Sequence, residues 1–397
     1  MTESYRVASS LSDFYPNFPQ SMKKMLLTLF WVCCIESVLG QHYRGIEVLD
    51  NQNVWASGSL GTIIRTSDGG QSWINCSPKG YERCDFRDIE AWDSLNALVI
   101  HSGDSAVILR TYDGGASWLL VYENLRPGVF LDALELIGNQ SEMAIVAGDP
   151  YLALQDQGDS AYYYDLLISL DSGRSWQPWT QEDGKPIARA RSASDALFAA
   201  SGTSMLPLGM GLEHPSVLFA GGGYDAEATL IHANLARLVH LDQSSVPLFN
   251  EPLYGAHRFP IPLMKGVAGG CYSLSGYREN LGFKLLAVGG DYTRPNERDS
   301  TAAFSDNGGI TWQLCPHPPL GYRSCAAFHP KDKTWVACTG TNGTDISIDG
   351  GQNWIPLMDL GYNVCAFSED ALWLFGNRGR FKKIGFADLQ SLVLGER

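Results

Sequence analysis

Thr66-Ser67-Asp68-Gly69-Gly70-Gln71-Ser72-Trp73 decides the fold, because the chain repeats it. Residues 111–118 read TYDGGASW, 169–176 SLDSGRSW, 305–312 SDNGGITW and 347–354 SIDGGQNW. The template is a Ser or Thr, an Asp or Asn two positions on, then a Gly, a small polar residue and a Trp. Asn307 replaces the acid in the fourth copy, and Asn353 replaces the hydroxyl in the fifth. The chemistry is that of a turn. The acid accepts backbone amides two residues on, Gly supplies positive φ, and the hydroxyl closes the loop internally. The Trp then opens the next strand with a large ring to bury. Asp68, Asp113, Asp171, Asn307 and Asp349 are therefore read as turn braces, and Trp73, Trp118, Trp176, Trp312 and Trp354 as packing residues. The box acids are not read as metal ligands.

Outward from each box lie strands. Residues 54–58 (VWASG) and 61–65 (GTIIR) precede the first, and the same layout recurs at 97–110 and 285–304. Each unit reads as four strands, with the box joining the third to the fourth. Four-stranded units repeated every ~40–60 residues specify a β-propeller. The widest gap between box tryptophans, Trp176 to Trp312, has room for one or two units whose signature has decayed, and 217–248 reads as one. The expectation is an all-β fold: a single β-propeller of four-stranded antiparallel blades, seven preferred and six the alternative. Blades are placed near 43–76, 86–122, 131–180, 195–248, 264–315, 322–357 and 362–387. The last shows three strands, and residues 43–49 are expected to complete it and close the ring.

Composition agrees. Of 397 residues, 42 are Gly, and 11 Trp and 17 Tyr supply rings for many short strands. Hydrophobic residues make up 45%, enough for a large core. A net charge of -14 and the lack of a basic stripe argue against nucleic acid. Met22-Lys23-Lys24, the apolar run at 25–34 (MLLTLFWVCC) and a small residue at Gly40 have the form of a secretory signal. Residues 1–21 are read as an over-extended start, 22–40 as the signal peptide and 41–397 as one propeller domain. The expected location is secreted or periplasmic, with no stable membrane span after cleavage and a monomeric state.

The boxes resemble the Asp-box (BNR) repeats of sialidase-type propellers. The wider pattern is similar to the photosystem II stability/assembly-factor-like, WD40/YVTN/BNR-like repeat propellers. Phrases such as Phe198-Ala199-Ala200-Ser201-Gly202, Val288-Gly289-Gly290-Asp291-Tyr292 and Gly321-Tyr322-Arg323-Ser324 carry that likeness. The resemblance spans roughly residues 43–387. It implies an exported or lumenal propeller that binds protein partners during assembly, and it implies no catalytic chemistry.

Cysteines follow the repeat. Cys33 and Cys34 leave with the signal. Trp73-x-x-Cys76 is followed by Gly80-Tyr81 and Cys84, and Trp312-x-x-Cys315 by Gly321-Tyr322 and Cys325. The repetition suggests disulfides Cys76–Cys84 and Cys315–Cys325, with buried thiols packed as small hydrophobes the alternative.

Strand order puts the boxes on one face of the disc and the second-to-third-strand and blade-to-blade loops on the other. Long loops on a rigid scaffold concentrate binding residues. The candidates on that face are His101, Asp104, Asp149, Arg191, Asp225, Asp291, Tyr292, Arg294, Arg323 and Asp345. Asp149, Asp291 and Arg323 stand out beside apolar strands near the axis. A glycoside hydrolase needs two flanking carboxylates, which Asp149, Asp225 and Asp291 could supply. The sialidase Arg-Ile-Pro signature is absent, since Phe259-Pro260-Ile261-Pro262 has Pro where Arg belongs. No dinucleotide fingerprint, nucleophile elbow or zinc spacing occurs, so no cofactor or metal is expected. Loop acids such as Asp156 and Asp159 are read as solvated rather than as calcium ligands. The favoured reading is a non-catalytic propeller that binds a protein partner or glycan through its long-loop face. The alternative is an Asp-box glycoside hydrolase.

Overall fold

A computed structural model describes residues 41–395 except 138–141, 155–159, 182–183, 209–215, 224–227, 235–255 and 281. The expected signal segment, Asp156, Asp159, Asp225 and much of the 217–248 unit lie outside the described residues. The compact unit runs from Gln41 to Arg397.

The chain is an all-β propeller built of antiparallel sheets. The first sheet holds β1 (Tyr43–Val48), β2 (Val54–Gly58), β3 (Ile63–Thr66) and β4 (Ile74–Asn75). The second holds β5 (Phe86–Ala91), β6 (Ala97–Ser102), β7 (Ala106–Thr111) and β8 (Leu119–Asn124). The third holds β9 (Leu131–Leu136), β10 (Ala144–Leu154), β11 (Ser160–Ser169) and β12 (Gln177–Pro178). A nine-stranded sheet follows. Its first part is β13 (Ala196–Leu197) and β14 (Met205–Leu208), both paired with β15 (Ser216–Gly222), then β16 (Thr229–Asn234) and β17 (Ala256–Pro260). Its second part is β18 (Gly269–Glu279), β19 (Gly282–Asp291), β20 (Ala302–Ser305) and β21 (Gln313–Leu314). The two parts join through one pair, Gly222 opposite Gly270. Next come β22 (Cys325–Phe328), β23 (Val336–Gly340), β24 (Gly343–Ser347) and β25 (Ile355–Met358). The final sheet is β26 (Val364–Phe367), β27 (Ala371–Phe375) and β28 (Phe381–Gly385), followed by helix α1 (Phe386–Leu394). Inner strands neighbour one another in the order β1, β5, β9, β14, β18, β22, β26 and back to β1, which closes a ring.

The boxes form as their residue types dictate. In the first, the Thr66 hydroxyl donates to Asp68 (2.8 Å) and accepts from Gly70 N–H (2.9 Å), while Asp68 accepts from Ser72 N–H (2.9 Å) and Oγ (2.6 Å). The two deviant copies keep this net, with the donor and acceptor roles exchanged only in the fourth. Asn307 Nδ2 donates to Thr311 Oγ1 (2.8 Å), and Asn353 Nδ2 donates to Asp349 (2.6 Å). Each box presses on the sheet before it. A Cβ on Gly115 would sit 2.6 Å from Cys76 Cβ, and one on Gly173 would sit 2.7 Å from Leu98, so glycine is required there for space as well as for φ. The Trp118 ring meets Trp55 edge-on at 6.4 Å and donates to Cys76 O (2.8 Å). The box tryptophans thus wedge between sheets rather than burying within their own.

Two expectations are corrected. Residues 43–48 do not complete the last sheet: β1 pairs with β2, its hairpin neighbour. The last sheet keeps three described strands, and the seam is closed by individual bonds. Tyr43 N–H donates to Gly376 O (3.2 Å), Gly379 N–H to Gln41 O (2.8 Å) and Asn363 Nδ2 to Tyr43 O (2.7 Å). Trp73 packs edge-on against Phe375 (5.6 Å) and Phe381 (5.3 Å) across the same seam. The two disulfides are also not made, since all seven cysteines beyond Gly40 are thiols. Cys76 and Cys315 occupy equivalent places and point each sulfur at the carbonyl of the next box, Gly114 O (3.4 Å) and Gly351 O (3.0 Å). The repeated Trp-x-x-Cys reflects a small side chain under the following box. Cys325 lies on the inner strand β22 and donates to Cys365 O (3.3 Å), turned away from Cys315.

Candidate functional site

Alternating strand direction places the box turns at one end of the sheets that carry them and the β2–β3, β6–β7, β10–β11, β19–β20 and β23–β24 connections at the other. The sequence-chosen candidates among the described residues fall at this second end, but they do not form one cluster.

Asp291 ends β19 and orders its own loop. It accepts from Thr293 N–H (2.8 Å), Thr293 Oγ1 (2.6 Å) and Arg294 Nε (3.0 Å). Burial opposes ionisation, but these bonds outweigh it and hold the carboxyl below the usual range. Arg294 also meets Glu297 (2.8 Å). Beside it Tyr292 is 56% exposed. Its ring is edge-on to Tyr322 (6.4 Å), which is edge-on to Tyr272 (4.8 Å), which stacks on Phe198 (4.0 Å). An exposed aromatic is therefore backed by a ladder of rings running toward the axis.

Arg323 and Asp345 are structural. Both are 1% exposed. Arg323 donates through Nε to Asp345 (2.6 Å), and Nη2 contacts the same carboxylate. Nη1 donates to Tyr322 O and Asn342 Oδ1, both at 2.7 Å. Burial raises the Asp345 carboxyl while Arg323 opposes the shift. The pair braces the loops between the last two four-stranded groups and offers nothing to a ligand.

Asp149 accepts from Leu197 N–H (3.0 Å), and burial pushes its carboxyl up to about 6. It acts on Asp132, a residue the sequence reading missed, whose carboxyl is raised by burial and then by the Asp149 charge, against Arg87. Asp132 is 1% exposed, so this acidic pair does not flank an open cleft. The amides of Ala199 and Asp149 favour its ionised form without completing a bond. Arg87 and Arg44, also missed, both meet Asp85, at 3.0 and 3.6 Å, and Arg87 lies over the Phe130 ring (5.3 Å). His101 bonds the Asp85 backbone through Nδ1, and burial lowers its pKa. Asp104 is exposed. Arg191 donates to Thr229 Oγ1 (3.2 Å), and its N–H donates to Asp195 (3.0 Å). The signal for Arg44 and Arg87 was available: each opens an inner strand one residue after a buried aromatic, Tyr43 or Phe86. Among the described residues, no group of His, Cys, Asp and Glu is arranged to hold a metal ion.

Solved structures share this fold. A structure of YCF48 bound to D1 peptide is 15% identical, covers 87% of this chain and 92% of its own, and has a TM-score of 0.52. YCF48 from Cyanidioschyzon merolae is 15% identical, with coverages of 88% and 97% and a TM-score of 0.54. The GH74 enzyme of Niastella koreensis is 11% identical with a TM-score of 0.55; the match takes 87% of this chain and about half, 52%, of that one. No protein-family model and no curated protein matches the sequence. The likeness is one of fold: a β-propeller of the YCF48/BNR type.

Proposed function

We propose that this chain is an exported, non-catalytic propeller of seven blades that binds a protein partner through the loop face, at the surface centred on Tyr292 and Arg294. The observation that carries this reading is the exposed Tyr292 ring, backed by Tyr322, Tyr272 and Phe198, beside an arginine aimed by Asp291 and Glu297. Preorganised aromatic and arginine side chains are what protein-binding surfaces concentrate their energy in. The fold's likeness to a propeller solved with a bound peptide supports the same class of ligand. The seven-blade reading rests on the inner-strand order and on treating the nine-stranded sheet as two blades joined at Gly222. Hydrolysis is disfavoured by the enclosure of Asp132 beside Asp149.

The test is photo-crosslinking in the native extract, with the reactive group placed at position 292 or, on the box face, at Gln71. Protein adducts from position 292 alone are expected, and Arg294→Ala removes them without moving the unfolding midpoint. Adducts from Gln71 alone, or glycan adducts at 292, would overturn the reading.

A further inference from the structure

The inside of the ring is closed by a loop and lined by acids. Residues 198–204 interrupt the inner strand between β13 and β14. Ala199 O accepts from Arg87 Nη1 (3.3 Å), Ser201 Oγ donates to Ser324 O (2.7 Å), and Thr203 Oγ1 donates to Ser273 Oγ (2.7 Å). Thr203 O accepts from Leu274 N–H (2.7 Å). Arg87 belongs to β5, while Ser324 directly precedes β22, and these strands are not ring neighbours of β14. A segment that reaches both must lie across the axis. It is a stopper, and Gly202 sits against the Asp88 carboxyl.

Below it, towards the box face, Glu47, Glu90 and Glu135 each stand one residue before the end of β1, β5 and β9. Their strand partners, Trp55, Leu98 and Ile145, place them at one depth. At the same depth in the opposite half stand small or neutral residues: Ser275 of β18, Ala327 of β22 and Ala366 of β26. Solvent reaches the three glutamates partly. Burial raises all four carboxyls, Glu47 to about 7, and the charges of the others raise Asp88, Glu90 and Glu135 further.

The groups acting on them from each side are few. β1 gives Glu47, β5 gives Asp88 and Glu90, β9 gives Glu135, and β22 gives the Cys325 thiol. The Leu134, Ile89 and Leu136 amides favour ionisation of Asp88 and Glu90. Among the described residues no lysine, arginine or histidine appears in this set; Arg87 and Arg44 are engaged with Asp85 at the opposite end.

We propose that this chamber is a proton-operated latch: protonated carboxyls keep the 198–204 stopper seated, and their ionisation releases it and opens the channel from the loop face. Enclosed like charges gain most by admitting water. The strands that carry them are held by ladders on their outer side, whereas the stopper is held by a handful of side-chain bonds and by backbone bonds at Thr203 and Ser204. It is the part that yields.

Hydrogen exchange of the intact chain tests this. At each pH the wild type is compared with Glu47→Gln/Glu90→Gln/Glu135→Gln, so intrinsic exchange cancels. At pH 6 the 198–204 amides should exchange alike; at pH 8 they should exchange at least tenfold faster in the wild type, with no such gap in β6. Glu135→Gln alone should give part of the effect and serves if the triple variant fails to fold. Equal exchange at pH 8, or a gap spread equally over β6, overturns the latch.

Discussion

Replacing Gly202 with alanine probes the stopper most directly. Gly202 has φ +74°, and an added Cβ would fall well inside contact with the Asp88 carboxyl. Asp88 cannot swing aside without losing its bonds from Leu134 N–H and Ile89 N–H, both 2.9 Å. The left-handed backbone costs about 1–2 kcal/mol for a residue with a Cβ, and overpacking a filled interior about 1–3 kcal/mol more. The total is about 2–5 kcal/mol. Gly128→Ala is the matched control, because Gly128 has φ +77° and nothing within 4 Å of its would-be Cβ. It should cost only the backbone part. Urea unfolding at fixed pH measures both, and the difference should be about 1–3 kcal/mol. In an Asp88→Ala background, which itself loses the Leu134 and Ile89 bonds, Gly202→Ala should cost less by most of that difference, as coupling between touching residues requires. Equal losses for Gly202→Ala and Gly128→Ala would refute the placement of the stopper against Asp88.

Removing Arg323 as Arg323→Ala strands the Asp345 carboxylate in the interior and should cost about 3–5 kcal/mol, with Arg323→Met/Asp345→Leu costing less than the single change; thermal unfolding decides. Trp118→Ala should lower stability by about 2–4 kcal/mol, below the range for a fully buried ring because one part of the indole is exposed, and an unmoved midpoint would show that it is no wedge. Reductant should leave the melting temperature unchanged, because Cys76 and Cys315 hydrogen-bond to carbonyls and are not cross-linked. The folded Glu47 carboxyl titrates near 7 against an ordinary value of 4.5, so the folded state holds the extra proton between them. Stability is full below pH 4.5 and falls as pH rises through 7, by about 3 kcal/mol at most; Glu47→Gln should flatten that fall in urea titrations from pH 4 to 8.5.

The box turns were legible because everything that makes them lies within eight residues, from Thr66 to Trp73, and even Asn307 and Asn353 keep the bond their position needs. The seam was not. A strand at 43–48 has two possible partners, and the hairpin to Val54–Gly58 wins because its loop is short, so closure passes to scattered bonds that no local pattern announces. Arg323 was read as a binding residue because its brace, Asp345, is 22 positions away. The glutamates stayed hidden for another reason. Strand alternation says that Glu47, Glu90 and Glu135 share a face, but only the assembled ring makes that face the axis. The phrase Phe198-Ala199-Ala200-Ser201-Gly202 was read only for its likeness to other propellers; it crosses the ring because Ala199 O and Ser201 Oγ find partners in Arg87 of β5 and in Ser324 beside β22, in two other sheets.

The seam also bears on how the molecule is made. Trp73 is translated early, yet its ring has no complete cover until Phe375 and Phe381 emerge some three hundred residues later. A nascent chain therefore carries an unsheltered indole for most of its synthesis. Losing β28 would leave the oldest part of the protein, and not merely the youngest, exposed to aggregation and proteolysis.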